Sequence, residues 1–119
     1  MSPNLNPKRG EIWMVNFDPQ SGDEIKKERP AVVLNLPVEQ VFQLRLVAPM
    51  TEWQPSFIGR ITKVQVNPSP RNGLSKRSAA DLLQIRSVST ARFHRKVGVL
   101  EAPTLSTIVD CVAAFIDAS

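Results

Sequence analysis

Short segments of the chain alternate between apolar and polar residues, and a period of two is typical of β-strands. The first such segment covers residues 10–18. Its apolar side chains divide between two faces of the predicted strand, with Trp13, Val15 and Phe17 on one face and Ile12 and Met14 on the other. Apolar residues on both faces predict a strand that is mostly buried, with Trp13 in the core.

Four further segments have the composition of strands: residues 29–36, 41–50, 59–67 and 81–89. The segments between them contain the Pro, Gly and Asn residues that favour loops and turns, above all at residues 19–28, 51–57 and 68–73. Residues 90–96 predict a short polar helix or turn. Several short strands without long helical segments between them indicate an antiparallel barrel or a strongly coiled sheet.

The period changes near the end of the chain, where apolar residues recur at helical spacing after Pro103, at positions Leu105, Ile108, Val109, Val112, Ala113 and Ile116. Proline suits the first turn of a helix, so the helix is predicted to begin there. The predicted fold class is therefore mainly β with a C-terminal amphipathic α-helix. Residues 1–7 are expected to form a flexible tail, and residues 8–119 a single domain.

The composition of the 119-residue chain, with 42% hydrophobic and 22% charged residues, is that of a soluble globular domain. The chain contains no run of eighteen apolar residues, so no membrane span is predicted. The N-terminal residues lack the apolar core of a secretory signal. Cys111 is the single cysteine and His94 the single histidine. We therefore expect a cytoplasmic protein without a disulfide, a metal site or a cofactor, since no DxD or ExxE cluster favours carboxylate-only metal binding either.

Positive charge is concentrated in one part of the chain. The formal net charge is +4, yet residues 1–29 contain equal numbers of basic and acidic residues. Residues 71–96 contain seven basic residues and Asp81 as the one acidic residue, a local net charge of +6. This distribution has two interpretations: a polyanionic partner, most simply nucleic acid, or a solubilising surface.

Four motifs resemble one known family. "RGEIW", "RPAVV", "VAPMT" and "LQIRSVS" occur in the order and spacing of the PemK/MazF toxins of bacterial toxin–antitoxin systems, and the resemblance extends from Lys8 to Ile116. It implies a small SH3-like antiparallel β-barrel that assembles as a homodimer. Members of the family are metal-independent, sequence-specific endoribonucleases that cut single-stranded RNA, mostly messenger RNA. They are held inactive by a cognate antitoxin whose disordered tail lies across the active groove.

Metal-free RNA cleavage proceeds by attack of the 2′-hydroxyl on the adjacent phosphate, giving a 2′,3′-cyclic phosphate and a 5′-hydroxyl. The reaction needs a base, an acid and positive charge beside the phosphate. The resemblance implies catalytic roles for Arg29, Thr51 and Glu24. A guanidinium suits bidentate contact to phosphate oxygens. The alternatives are an arginine in a salt bridge with Glu24 or Glu28, a strand-capping threonine, and a glutamate that only holds the arginine.

The candidates for RNA binding are Lys26, Lys27, Trp53, Arg60 and Arg86. An exposed Trp53 would stack on a splayed base, although it would equally well pack against the barrel rim. Arg86 has the alternative role of orienting the sheet or a dimer, and the two lysines that of a solvated loop. His94 lies away from the positions that the family uses for catalysis, so it is interpreted as a surface or RNA-backbone residue.

The chain departs from the family pattern in two places. Leu83 occupies a position where the family has an aspartate, and the segment around residues 51–66 is longer than in many members. Because that segment helps to set base preference, the cleavage sequence cannot be transferred. The competing hypothesis is a non-catalytic barrel, either a gyrase-poisoning toxin of the same fold or a decayed toxin, which binds a protein or nucleic acid. Arg29 and Thr51 together favour the enzyme.

Overall fold

The computed structural model describes residues 5–17, 28–35 and 43–117 of the chain. Within these ranges the chain forms a mainly β structure with one C-terminal α-helix. Its elements are β1 (Glu11–Asn16), β2 (Glu28–Val33), β3 (Leu44–Glu52), β4 (Lys63–Val66), β5 (Ser78–Asp81), β6 (Arg86–Ser89), β7 (Phe93–Val99) and α1 (Ala102–Ile116).

All seven strands belong to one antiparallel sheet in the order β4-β5-β3-β2-β1-β7, with β6 also pairing with β3. The long strand β3 is central to this arrangement. One edge of β3 pairs with β2, while the other pairs with β6 along its first half and with β5 along its second half. The predicted fold class, antiparallel and mainly β with a terminal helix, is confirmed.

The prediction of one strand over residues 81–89 is wrong. A 3₁₀ turn at Leu82–Gln84 separates β5 from β6, so that both follow the same edge of β3 in different registers. The Asp81 carboxylate caps this turn by accepting a hydrogen bond from the Leu83 amide at 3.1 Å. A side chain that can bond to its own backbone two residues on is typical of such turns, and it interrupts the ladder here.

Three other predicted boundaries also differ. Of the helix or turn predicted over residues 90–96, only residues 90–92 form a turn, and the rest belongs to β7, because Phe93 is buried and β7 pairs with β1 through two register shifts. Because polar residues follow Phe93, the segment lacks the alternation typical of a strand, and the sequence pattern did not indicate β7. Strand β5 consists of small residues and gave no alternation, and β4 begins only at Lys63, since turns occupy residues 55–62.

The sheet has apolar residues on both faces, as the first strand predicted. Ile12 belongs to a core cluster that includes Val32, Met50, Leu100 and Ile108, the last from α1. The residues that alternate with these along the strands lie on the opposite face. They form the second apolar cluster, which contains Trp13, Val15, Ala31, Val33, Val47, Val88 and Phe93. Trp13 packs edge-to-face against Phe93, with ring centroids 5.8 Å apart, which confirms its predicted place in the core.

The segment before β1 is attached to the sheet by Arg45, which is only 2% exposed. Its guanidinium donates hydrogen bonds to the Pro7 carbonyl and to the Asn6 side chain, both at 2.9 Å. Leu5 packs against the second apolar cluster. The last three residues of the predicted tail are therefore packed against the domain.

Among the described residues, no helix has both the length and the apolar character needed to cross a membrane.

Candidate functional site

Arg29 and Thr51 meet at one rim of the sheet. The pairing of β2 with β3 includes Ala31 opposite Pro49, and continuing this register by two residues places Arg29 opposite Thr51. Both residues line a cavity of about 260 Å³, here called the rim cavity. Because residues two apart on a strand share a face, both belong to the face that carries the second apolar cluster.

Arg86 lies on the same face and lines the same cavity. It is opposite Val47 in the β3–β6 pairing, and its guanidinium lies 4.6 Å from the centroid of the Phe17 ring. The guanidinium also donates a hydrogen bond to the Phe17 carbonyl at 3.2 Å. Arg86 and Phe17 border a second cavity, of about 430 Å³, which Arg92 and the serines of β6 also line. Arg86 thus has a role in packing the sheet, while part of it faces the rim cavity.

Arg29 and Thr51 also line a third cavity, a groove of about 430 Å³. Met14, Pro30, Leu74 and Val97 supply its apolar lining. Lys76 and Arg95 supply positive charge. Both belong to the basic segment 71–96, but neither is among the candidate site residues expected from the sequence. Arg95 lies on β7, which the sequence pattern did not predict, and Lys76 lies just before β5.

The carboxylates around these cavities lie beside basic side chains other than Arg29. Glu28 Oε2 lies 3.0 Å from His94 Nδ1, Glu52 Oε1 lies 3.6 Å from Lys76 Nζ, and Asp81 Oδ1 lies 3.0 Å from Lys63 Nζ. Within the described ranges, no carboxylate lies within salt-bridge distance of the Arg29 guanidinium. Arg29 therefore does not form the alternative salt bridge with Glu28 and is exposed, while the alternative with Glu24 lies outside the described residues.

His94 is partly exposed and paired with Glu28, and it does not line the cavities described above. This placement agrees with its interpretation as a surface residue.

Trp53 and Arg60 lie in the loop between β3 and β4. Trp53 is half-buried, and its ring meets the Phe57 ring edge-on at a centroid distance of 5.6 Å. Arg60 is exposed, and its amide donates to the Phe57 carbonyl at 3.0 Å. Neither residue lines the rim cavity or the groove. Three other candidates, Glu24, Lys26 and Lys27, lie outside the described residues.

Leu83, at the position where the family has an aspartate, does not line the rim cavity. Leu83 is 58% exposed, whereas Asp81, two residues earlier, lines the rim cavity together with Gln84 and Arg86. Asp81 was not among the predicted site residues because the 3₁₀ turn at Leu82–Gln84, which changes the register, was not predicted.

The turn that forms one wall of the groove is held by a buried polar network around Asn72. The Asn72 side chain accepts from the amides of Ser69 and Leu74, each at 3.0 Å, and donates to Glu101 Oε1 at 3.1 Å. The Ser69 hydroxyl also donates to Glu101, and this hydrogen bond is the main reason that the pKa of Glu101 lies below 4.5. The network joins the groove wall to the beginning of α1.

Within the described part of the chain, no three His, Cys, Asp or Glu residues are grouped so as to hold a metal ion. Cys111 is a free, half-buried thiol on α1. The polar side chains that line the rim cavity are those of Arg29, Thr51, Asp81, Gln84 and Arg86.

Fold and site together define a small antiparallel β-protein with cations along one rim. The family model of the PemK-like, MazF-like toxins of type II toxin–antitoxin systems matches residues 8–116. The chain therefore belongs to this family.

Individual relatives agree with this assignment. Endoribonuclease MazF9 of Mycobacterium tuberculosis (strain ATCC 25618 / H37Rv) is 33% identical over 117 residues, covering 92% of this chain and 96% of its own. A crystal structure of MazE-MazF from Deinococcus radiodurans is 25% identical, with a TM-score of 0.76 over 98% of this chain and 100% of that one. The toxin MazF-mt6 of Mycobacterium tuberculosis, at 22% identity and a TM-score of 0.72 over 92% and 98%, shares the fold.

Proposed function

We propose that this toxin-family protein is a metal-independent, sequence-specific endoribonuclease that cuts single-stranded messenger RNA. The observation that supports this most directly is the meeting of Arg29 and Thr51 at the rim cavity, with no carboxylate of the described residues paired to the arginine. A planar cation beside a hydroxyl donor is suited to bind the oxygens of one phosphate. The name of the relative, Endoribonuclease MazF9, points to the same chemistry.

In the proposed reaction the 2′-oxygen of one nucleotide attacks its own 3′-phosphate. The 2′-proton passes to a base, the bond to the 5′-oxygen of the next nucleotide breaks, and that oxygen receives a proton. Arg29 binds the phosphate oxygens as negative charge grows on the phosphorane, and Thr51 donates its hydroxyl to the same group. Glu24 is proposed either as the base or as the group that orients Arg29. No metal or cofactor takes part.

RNA on either side of the cleaved bond is proposed to contact the remaining candidates. Arg86 faces the rim cavity and would bind a neighbouring phosphate. Trp53 would stack on a base, and Arg60, Lys26 and Lys27 would contact the backbone. The groove residues Lys76 and Arg95 extend the same positive surface.

The partners are proposed by analogy with the relatives. A protein from Deinococcus radiodurans was crystallised as MazE-MazF, and we propose a cognate antitoxin for this chain as well. We further propose that the protein assembles as a homodimer and that it acts in the cytoplasm.

The decisive experiment is to incubate the purified protein with single-stranded RNA in EDTA and to map the new 5′ ends. Cleavage should leave 5′-hydroxyl and 2′,3′-cyclic phosphate termini, and Arg29→Ala should lower the rate about 10²- to 10³-fold. Arg71→Ala is the matched control, because Arg71 is exposed and lies outside the rim cavity and the groove. RNA binding without cleavage, or full activity of Arg29→Ala, would contradict the proposal and favour a non-catalytic binding protein.

A further inference from the structure

A series of side-chain contacts connects the β3–β4 loop to the rim cavity. The Trp53 ring packs edge-on against Phe57, with 5.6 Å between centroids and 82° between planes. The Lys63 ammonium lies 5.5 Å from the centroid of the Phe57 ring, within the range of a cation–π contact. Lys63 Nζ also lies 3.0 Å from Asp81 Oδ1, and Asp81 lines the rim cavity. These four residues, Trp53, Phe57, Lys63 and Asp81, are called the Trp53 relay.

The ion pair within the Trp53 relay is shielded from water. The side chains of Lys63 and Asp81 are only 11% and 17% exposed, and the two residues face each other in the β4–β5 pairing. By comparison, the pair of Lys76 with Glu52 is 68% and 67% exposed and longer, at 3.6 Å. A shielded charge is costly to separate from its partner, so Lys63 is held in place and is not free to bind a phosphate.

The backbone hydrogen bonds of the loop fix the course of its main chain, whereas the orientation of the Trp53 ring depends on the side chains of the Trp53 relay. Its hydrogen bonds close successive turns within residues 54–63. At its ends, the Trp53 amide donates to the Arg77 carbonyl at 3.0 Å, and the Thr62 carbonyl accepts from Leu82 at 2.9 Å. Between these ends, the contact of Phe57 with Lys63 attaches the loop to the sheet.

We propose that Lys63 is a positioning residue for base recognition: by fixing Phe57 it holds Trp53 as a rigid wall against which a base beside the cleaved phosphate stacks. This inference rests on the proposed endoribonuclease function. Trp53 follows Thr51 by two residues, about 7 Å along an extended chain, so the wall begins directly beside the catalytic pair. Stacking on an aromatic ring by itself accepts any base, but a ring in a fixed position discriminates by the size of the base.

We therefore expect the Trp53 relay to affect which base is preferred rather than the rate of the cleavage step itself. In Lys63→Met the stem of the side chain still packs, but the ion pair and the cation–π contact are lost, so the Phe57 and Trp53 rings gain freedom. Because Lys63→Met leaves Asp81 without its partner, basal cleavage is judged on Phe57→Leu, which keeps the ion pair and should change cleavage at the preferred sequence less than about threefold. The ratio of cleavage rates between preferred and other sequences should fall about tenfold, which corresponds to about 1.4 kcal/mol, within the range for one stacked base.

The test measures cleavage rates at every position of an RNA of mixed sequence by mapping 5′ ends, for the unaltered protein, Lys63→Met and Trp53→Leu. Lys96→Met is the matched control, because Lys96 also forms a 3.0 Å ion pair, with Glu11, and lies outside the three cavities. We expect Lys63→Met and Trp53→Leu to lose preference alike and Lys96→Met to retain it. Phe57→Leu, which leaves the ion pair intact, should behave as Lys63→Met does.

The outcomes distinguish this inference from the function on which it rests. If the unaltered protein cuts no RNA, both are wrong. If it cuts RNA and Lys63→Met and Phe57→Leu keep the full sequence preference, the inference alone is wrong, whatever Trp53→Leu does. Acrylamide quenching of tryptophan fluorescence gives a readout besides activity, since Trp13 is buried and Trp53 is only half-buried. Quenching must increase in Lys63→Met but not in Lys96→Met.

Discussion

Arg29 at the start of β2 and Thr51 near the end of β3 lie on the same face of the sheet and line one cavity. The pairing of β2 with β3 brings them there, because a ladder that joins Ala31 to Pro49 continues to Arg29 and Thr51. Two residues that are distant in the sequence thus lie at one cavity on neighbouring strands. A site on strands is positioned more firmly than one on loops.

The first prediction concerns the shape of the Arg29 side chain. Arg29→Lys keeps the positive charge but replaces the planar fork with a point charge, so bidentate contact to the phosphate is lost. We expect cleavage to fall about tenfold, between the unaltered protein and Arg29→Ala, when single-turnover rates are measured at saturating RNA. Equal rates for Arg29→Lys and the unaltered protein would show that only the charge matters.

The second prediction concerns the Thr51 hydroxyl. Thr51→Val keeps the shape of the side chain and should lower the cleavage rate about tenfold or more, because one donor to the phosphate is lost. Thr51→Ser keeps the hydroxyl and should retain most of the activity. Circular dichroism of both variants provides the check on folding. A strand-capping role alone would leave the rates of both variants unchanged.

The third prediction compares two glycines with positive φ angles. Gly59 has φ 84° and open space where a Cβ would be, whereas a Cβ at Gly73, φ 70°, would lie 2.2 Å from the Val97 carbonyl oxygen. Gly59→Ala should therefore lower the free energy of unfolding by the conformational cost alone, about 1–2 kcal/mol.

Gly73→Ala must also displace backbone at the groove wall, so we expect a loss of about 3 kcal/mol or more. Urea unfolding of both variants measures the difference. Similar losses for the two variants would mean that the turn carrying Gly73 moves away from β7 at little cost.

The fourth prediction is a pH dependence of stability that depends on Glu101. Its pKa in the folded protein is lowered from 4.5, chiefly by the hydrogen bond from Ser69, against the smaller opposing effect of burial. A lowered folded pKa means that the unfolded state binds more protons in acid. The stabilisation is therefore complete above about pH 4.5 and is lost as the pH falls through the folded pKa.

Glu101→Gln should thus be less stable than the unaltered protein at pH 7, and the two should converge as the pH falls below about 4.5. Thermal unfolding across this pH range measures the difference. Asp110→Asn, at an exposed carboxylate on the same helix, serves as the control and should change stability little at any pH. A constant difference between Glu101→Gln and the unaltered protein at all pH values would exclude the proposed origin.

The fifth prediction tests where the packed domain begins. Removing residues 1–7 deprives the buried Arg45 of its acceptors on Asn6 and Pro7, and should lower the free energy of unfolding by about 2–3 kcal/mol. Asn6→Ala removes one of these acceptors and should cost about 1 kcal/mol. Asn67→Ala, at an exposed amide, is the control. A shortened chain with unchanged stability would support the flexible tail expected from the sequence.

Much of the fold could be predicted from the sequence because side-chain period reports burial directly. The alternation placed Ile12 on one face of the first strand and Trp13 and Val15 on the other, and these faces carry the two apolar clusters. The helical spacing after Pro103 likewise corresponds to α1, whose Ile108 enters the core. The motifs containing Arg29 and Thr51 pointed to the two residues that meet at the rim cavity. The roles of Glu24, Lys26 and Lys27 stay predictions.

What the sequence by itself determined is thus the strand faces, the terminal helix and the family. Only the tertiary structure decided which basic residues of the described ranges line a cavity and which carboxylates they pair with, since those contacts depend on strand register. The 3₁₀ turn capped by Asp81 is the plainest case: a local hydrogen bond to Leu83 shifts β6 relative to β5. Asp81 thereby lies at the rim cavity and Lys63 beneath Phe57, a placement that no pattern of residue types along the chain contains.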